Sequence, residues 1–471
     1  MIKMNILLGS LCSIFIAASL SSCNDYDPVV VGYENSEEEN GVVATPPDIK
    51  FEWELELITN VGQHNPNVFV YKDKKYDNLF TRNLGWNGGD GVLSTLLPDG
   101  NVFWSFNDSF YGVVESETRT RRSCSFPRNS LMIQTKGADG KLGETDNSLM
   151  WLADFVQTDD PDKPGYYMAY TQLRHPDAAL EVEKPEESKI DNDYIYWAGD
   201  GTIVDGKLQV IWGAVDLTDE NNPMRRFASC LATYSLEGKP GDPNYMKRIS
   251  VDHNFRPGDN MGYGNTLYED ADGHTYLYTT NGYDVLVARS TTHDLTSPWE
   301  YYVRDLSGNF QWITSFPTEE ESKRSNILMN NGQCSMPWVF KKGDMYYLIG
   351  QSMWFGHAMH IYRSDNPYGP FTDQKVLFVI PDTVDKIGNQ YYNHLYMVNL
   401  HPHLARAGEL VFSTNTDCAD FWDNYNRPGS ADYYRPFFFR VFNWEISLFY
   451  HLRHCFKSEK RSDQKSHSYD P

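Results

Sequence analysis

Two aspartates stand symmetrically about one turn. Asp90 ends the glycine-rich run "GWNGGD", Asp108 ends the aromatic run "VFWSFND", and each lies nine residues from Asp99 in the intervening "LLPDG". Paired as an antiparallel hairpin, the two runs bring these positions opposite each other, with Cβ atoms roughly 4.5–5.5 Å apart. Like charges so placed destabilise a strand pair, so a purely structural hairpin would avoid them. Their chemical use is well defined: glycosidic bonds are cleaved by one carboxyl that protonates the leaving oxygen and another that, ionised, activates water or attacks the sugar. Proximity raises the pKa of one member, and Phe106 and Phe110 add desolvation around Asp108. The expected roles are therefore Asp108 as acid and Asp90 as base or nucleophile. Competing with this is ordinary turn chemistry, since "GGDG" and "FND" are common settings for an aspartate, and Gly88, Gly89 and Gly91 loosen the register.

The element carrying the pair recurs. "LSTLLPDGNVFWSFNDS" (93–109), "GTIVDGKLQVIWGAVD" (201–216), "NTLYEDADGHTYLYTTNG" (265–282), "MPWVFKKGDMYYLIGQS" (336–352) and "HPHLARAGELVFSTNT" (401–416) each join two apolar runs through a glycine turn, at Gly100, Gly206, Gly273, Gly343 and Gly408. These are hairpin signatures. The glycines are 106, 67, 70 and 65 residues apart, room for about four strands per unit, and regular four-stranded units imply an all-β, five-bladed β-propeller over residues 51–445. "FEWELEL" (51–57) and "FFFRVFNWE" (437–445) are expected to share the blade that closes the ring and removes open sheet edges.

Within such a ring the residues preceding each hairpin gather at one mouth: Asp90, Asp200, Asn265, Gln333 with Ser335, and His401 with His403. Asp200, Asn265, Gln333 and His403 are candidate ligand contacts, Trp86, Trp197 and Trp354 candidate sugar-stacking platforms, and Tyr433, Tyr434 and Arg435 open the closing strand within reach of the mouth. Eight residues after each turn glycine stand Asp108, Ala214, Asn281, Gln351 and Thr416, so an acid at this position is particular to the first unit. His357, His394, His401 and His403 lack metal-ligand spacing, and neither metal nor cofactor is expected.

The stretch "GGDGVLSTLLPDGNVFWSFNDS" resembles the opening motif of Bacteroidetes lipoproteins with a domain of unknown function and of glycoside hydrolase family 183, propellers that hydrolyse D-arabinan. The resemblance is specific over roughly 25 residues and architectural beyond them. It implies a catalytic role for Asp90 and Asp108, which fall on the family's aspartates either side of "LLPDG" and "WSF", and an arabinofuranose-containing substrate. Where related enzymes carry "FGDT" this chain has "FNDS". More distantly the chain resembles glycoside hydrolase family 43, whose acid is a glutamate of the third blade; Asn265 occupies that mouth here.

The whole chain bounds these readings. With 471 residues, 40% hydrophobic and 14% aromatic, it can build a large core, and a net charge of −23 disfavours nucleic acid and anionic partners, so a neutral poly- or oligosaccharide fits better. Lys3, the apolar run Ile6–Leu20 and "LSSC" ending at Cys23 read as a lipoprotein export signal (1–23) too short to span a bilayer, with Cys23 as the lipidated residue. Residues 24–50 have the composition of an acidic tether, and the basic tail 446–471 that of a disordered extension. The expectation is a monomer lipid-anchored outside the cytoplasm, at the outer membrane or in the periplasm. Cys124, Cys230, Cys334, Cys418 and Cys455 are scattered and read mostly as small buried hydrophobes. Two functions follow: a glycoside hydrolase, or a surface lipoprotein that binds glycan through the same mouth without cleaving it. Fold does not separate them; the acidic pair favours the enzyme.

Overall fold

A computed structural model describes residues 53–58, 68–152, 193–222, 224–380, 394–406 and 408–445, with short pieces between 154 and 176 and between 386 and 391, and Leu448 and Phe449. The proposed signal with Cys23, the tether 24–50 and all of the basic tail except Leu448 and Phe449 lie outside the described residues; Phe449 itself is buried, its ring 5.5 Å from that of Tyr347.

Five antiparallel sheets form a five-bladed propeller. Blade one consists of Leu93–Leu96, Val102–Phe106, Ser130–Gln134 and Leu149–Trp151, and blade two of Tyr194–Val204, Lys207–Asp216, Arg225–Leu236 and Tyr245–Pro257. Blade three runs Thr266–Glu269, Thr275–Asn281, Asp284–Ser290, Trp299–Arg304 and Phe310–Ile313; blade four runs Ser335–Lys342, Met345–Gln351, Ala358–Ser364 and Thr372–Val379. The first strand of each is innermost, and its N-terminal end faces the mouth. The second strands are the most apolar, because a blade is covered on both faces by its neighbours: every residue of Val102–Phe106 is buried. The five turn glycines all have positive φ, between 61° and 92°, which is what fixes glycine there.

Blade five is assembled from both ends of the described chain. His394–Leu400, Leu410–Asp417 and Phe437–Phe442 pair in turn, and Phe69–Asp73 then Leu55–Leu57 complete the sheet. "FEWELEL" and "FFFRVFNWE" thus share the closing blade, with Phe69–Asp73 between them. Asp73 and Arg440, both fully buried, form the clasp at 2.6 Å, and Arg440 also meets Glu409. Phe438 then packs against Phe80 at 5.3 Å and Trp104 at 6.1 Å, joining blade five to blade one.

One hairpin differs from its expected frame. In blade five the partner of Leu410–Asp417 is His394–Leu400, and "HPHL" is a single helical turn, Pro402–Leu404, in the connection at the far end of the blade. Proline lacks the N–H a ladder needs but suits the first turn of a helix. His401 and His403 are therefore at the end remote from the mouth: the fully buried His401 ring bridges Ser94 Oγ (2.6 Å) and Ser413 Oγ (2.9 Å), and burial holds its pKa well below the usual value.

Candidate active site

The first hairpin keeps its register to the rim. Leu93 faces Ser105, and beyond the strand ends the Asp90 N–H donates to the Asp108 carbonyl (3.1 Å) while the Asn107 N–H donates to the Asp90 carbonyl (2.8 Å). Gly89 faces Ser109 in the continuing ladder, so Asp90 and Asp108 are directly opposed. Gly91, at φ +61°, makes room for this rim: a Cβ there would lie 2.2 Å from Asn107 Nδ2. Asn107 in turn accepts from the Ala198 N–H through Oδ1 at 2.6 Å, which ties blade two to the pair.

The two carboxylates occupy different environments. Asp90, 6% exposed, accepts the hydroxyls of Tyr396 (2.6 Å) and Tyr434 (3.1 Å) on Oδ2, while Oδ1 is buried with no hydrogen-bond partner. Burial, with the charge of Asp108 next and that of Asp417 weaker, pushes its pKa up to about 8, against the opposing pull of the two hydroxyls. Both phenols are themselves held protonated, by burial first and then by the charge of Asp90. Asp108 instead lies 3.1 Å from Arg128 Nε in an ion pair and accepts the Trp197 indole N–H at 3.0 Å. A cation and a donor favour its ionised form.

Blade five supplies most of this setting. Asn415 Nδ2 donates to the Gly89 carbonyl (2.8 Å), the Gly89 N–H donates to the Tyr434 carbonyl (2.8 Å), and Tyr434 adopts φ +51°, uncommon for a non-glycine residue. Asp417, opposite His394 at the mouth end, adds a third carboxylate; it accepts from Asn424 Nδ2 at 2.7 Å, and burial raises its pKa to about 7, with a smaller contribution from Asp108.

Other expected contacts divide clearly. Trp197 touches Asp108 directly, and Trp354, half-buried in the 352–357 connection of blade four, lies 5.6 Å from the Tyr396 ring. Gln333 is exposed just before the innermost strand of blade four, and Asn265 holds Arg226 Nη1 at 2.9 Å beside blade three. Four expectations require correction. Trp86 is fully buried, its indole stacked on Trp151 at 4.7 Å, so it offers no face to a ligand. Asp200 is buried with its oxygens accepting from the Gly201 (2.8 Å) and Leu267 (3.0 Å) N–H groups; it links blades two and three, and burial raises its pKa to about 7. His403 lies at the far end of blade five, as described above. Arg435 turns away from the mouth, donating to the carbonyls of Asp432 (3.0 Å) and Pro436 (2.8 Å).

Arg128, Tyr396 and Asp417 were not singled out by the sequence. Arg128 stands in "FPRNS", outside the repeat; Tyr396 was hidden by the shifted frame of the fifth hairpin; Asp417 lies one residue past the compared offset, and "STNTD" carried that signal. Tyr434 reaches the pair as its place before the closing strand suggested. Among the described residues no three or more His, Cys, Asp or Glu side chains are grouped to hold a metal ion, and no helix is long and apolar enough to cross a membrane. Cys124, Cys230, Cys334 and Cys418 are buried, and none of them is in a disulfide among the described residues.

A candidate hydrolase from Bacteroides ovatus ATCC 8483, known from its crystal structure, is 60% identical, covers 86% of this chain and 98% of its own, and superposes with a TM-score of 0.81. A glycoside hydrolase family 43 enzyme from Xanthomonas citri in complex with xylotriose is 12% identical over 78% of this chain and 92% of its own, with a TM-score of 0.37, too low to bear on function. No curated protein matches. Residues 73–444 match the model of a domain of unknown function, DUF5005, and the chain belongs to that family.

Proposed function

We propose that the chain is an O-glycosyl hydrolase in which Asp90 is the general acid and Asp108 the ionised partner. The observation that carries this is the asymmetry of an opposed pair: one carboxyl is buried under two tyrosine hydroxyls with its pKa pushed up to about 8, the other is ion-paired with Arg128 and accepts the Trp197 indole N–H. Two titratable groups whose surroundings drive their pKa values apart are what acid and base roles require. The assignment reverses the order expected from sequence, because Phe106 and Phe110 pack into the core while Arg128 reaches Asp108. The description of the 60%-identical relative as a candidate hydrolase agrees with the reaction class.

In this reading the glycosidic oxygen of a sugar seated at the mouth receives the Asp90 proton. Asp108 then activates water or attacks the anomeric carbon, giving inversion at a carboxyl separation of about 6.5–9.5 Å or retention at about 5–5.5 Å. Trp197 and Trp354 flank the seat. The protein would act outside the cytoplasm, anchored through Cys23, and arabinofuranose-containing polysaccharides are the first substrates to offer. The test is release of sugar from a polysaccharide panel that includes D- and L-arabinans, with Asp108→Asn as control. Release that the substitution abolishes supports the reading; glycan retained but uncut by both proteins would make the mouth a binding site instead.

A further inference from the structure

Arg226 opens the mouth end of the third strand of blade two, beside the segment that leads into blade three. Its guanidinium is clamped between glycines: a Cβ at Gly213 would lie 2.5 Å from Cζ, and one at Gly262 would lie 2.1 Å from Nη1. Gly213 is a strand residue whose φ is not in the left-handed range, so space for this side chain explains glycine there. Nη1 donates to Asn265 Oδ1 at 2.9 Å, Nη2 lies 3.5 Å from Ser229 Oγ, and Nε is buried without an acceptor.

Among the described residues no carboxylate forms an ion pair with it. Asp259, whose charge reaches Arg226, spends its oxygens on Ser229 Oγ (2.7 Å) and on the N–H groups of Met261 (3.2 Å) and Gly262 (2.9 Å). Two other buried guanidinium groups are committed differently: Arg440 meets two carboxylates, although its Nη2 has no hydrogen-bond partner, and Arg121 donates to oxygens of Asn87, Ser430 and Tyr433. Unlike Arg440, Arg226 has no carboxylate at ion-pair distance among the described residues, in a protein of net charge −23 with acids to spare. Its position is adjacent to the aspartate pair, because Gly213 is the cross-strand partner of Trp197, whose indole is bonded to Asp108.

We propose that Arg226, with Asn265 and Trp197, forms a subsite for an acidic sugar unit, a uronate, next to the sugar whose bond the aspartates cleave. The position of that bond rests on the glycosidase reading; the subsite itself rests on Arg226. A guanidinium pairs a carboxylate through its planar donor fork, and an indole face covers the adjoining sugar ring. The overall negative charge does not forbid this, since exposed charges beyond roughly 8 Å are screened at physiological ionic strength.

The test is calorimetric titration of the full chain with neutral xylan and arabinan oligosaccharides, with glucuronate- and galacturonate-containing oligosaccharides, and with sulfated galactan oligosaccharides. The expected result is at least tenfold tighter binding of a uronate ligand than of its neutral counterpart, lost in Arg226→Gln and partly kept in Arg226→Lys. Asn265→Ala, which leaves the charge in place, should weaken uronate binding and serves if Arg226→Gln unfolds. Equal affinity for neutral and acidic ligands, a preference that survives Arg226→Gln, or a preference for sulfate over uronate would overturn the proposal. Uronate preference without cleavage would keep the subsite and remove the glycosidase reading; cleavage of neutral glycans without that preference would do the reverse.

Discussion

Asp90 and Asp108 are chemically identical side chains made different by what surrounds them. Asp90 combines burial with a like-charged neighbour, so its proton is retained to about pH 8. Replacing either residue with asparagine should lower turnover by about 10²–10⁴-fold; Asp108→Asn should in addition lower the thermal unfolding midpoint, because it strands the buried Arg128 guanidinium. Activity should fall as pH rises through about 8, when the acid is lost. Stability should move the same way: the folded pKa is raised above the unfolded one, so the contribution is intact below the ordinary carboxylate pKa and is lost as pH climbs toward 8. Asp90→Asn should therefore unfold at a higher temperature than wild type at pH 9. In Tyr434→Phe a donor that favours the charged form is gone, and the alkaline limb of the pH–rate profile should shift upward; an unmoved limb would make Tyr434 merely structural. The pair was legible as two acids equidistant from Asp99. Which is the acid was not, because Tyr396, Tyr434 and Arg128 come from segments that only the fold brings together.

The hairpin between the two aspartates works as a rigid bracket. Its register is fixed by the "LLPDG" turn, where Gly100 adopts φ +83°, and by the Asp90–Asp108 and Asn107–Asp90 backbone bonds at the rim. Gly91 is the sensitive point, since a methyl group would both strain a positive φ and collide with Asn107. Gly91→Ala should lower the unfolding midpoint and, by displacing the bracket, reduce turnover more than it changes KM; a variant with full turnover would show that the rim tolerates rearrangement. This hairpin was readable because glycine, proline and alternating apolar residues all agreed. The fifth was misframed for a physical reason: "HPHLARAG" has the apolar spacing of a strand, but Pro402 starts a helical turn and His401 is held between serines of two blades.

Ring closure completes the site as well as the fold. Tyr396, Asn415 and Asp417 lie in blade five and Tyr434 just before its Phe437–Phe442 strand, on which Phe69–Asp73 docks to complete the sheet. The buried Asp73–Arg440 pair secures that docking, and removing one partner strands the other charge. Asp73→Ala should cost about 3–5 kcal/mol in denaturant unfolding and should lower activity in the same preparation; activity kept at full level would separate closure from catalysis. That the two ends meet was foreseeable from their strand-like composition, whereas the ion pair that clasps them was not, since Asp73 and Arg440 are 367 residues apart. The most direct test of the central claim compares two leaving groups. Asp90→Asn and Asp108→Asn are assayed on the polysaccharide that wild type cleaves and on a dinitrophenyl glycoside of the same sugar, whose leaving group needs no proton. Asp90→Asn should fail on the polysaccharide and retain most activity on the activated glycoside, while Asp108→Asn fails on both. The opposite pattern, or polysaccharide cleavage by both variants, would contradict the account.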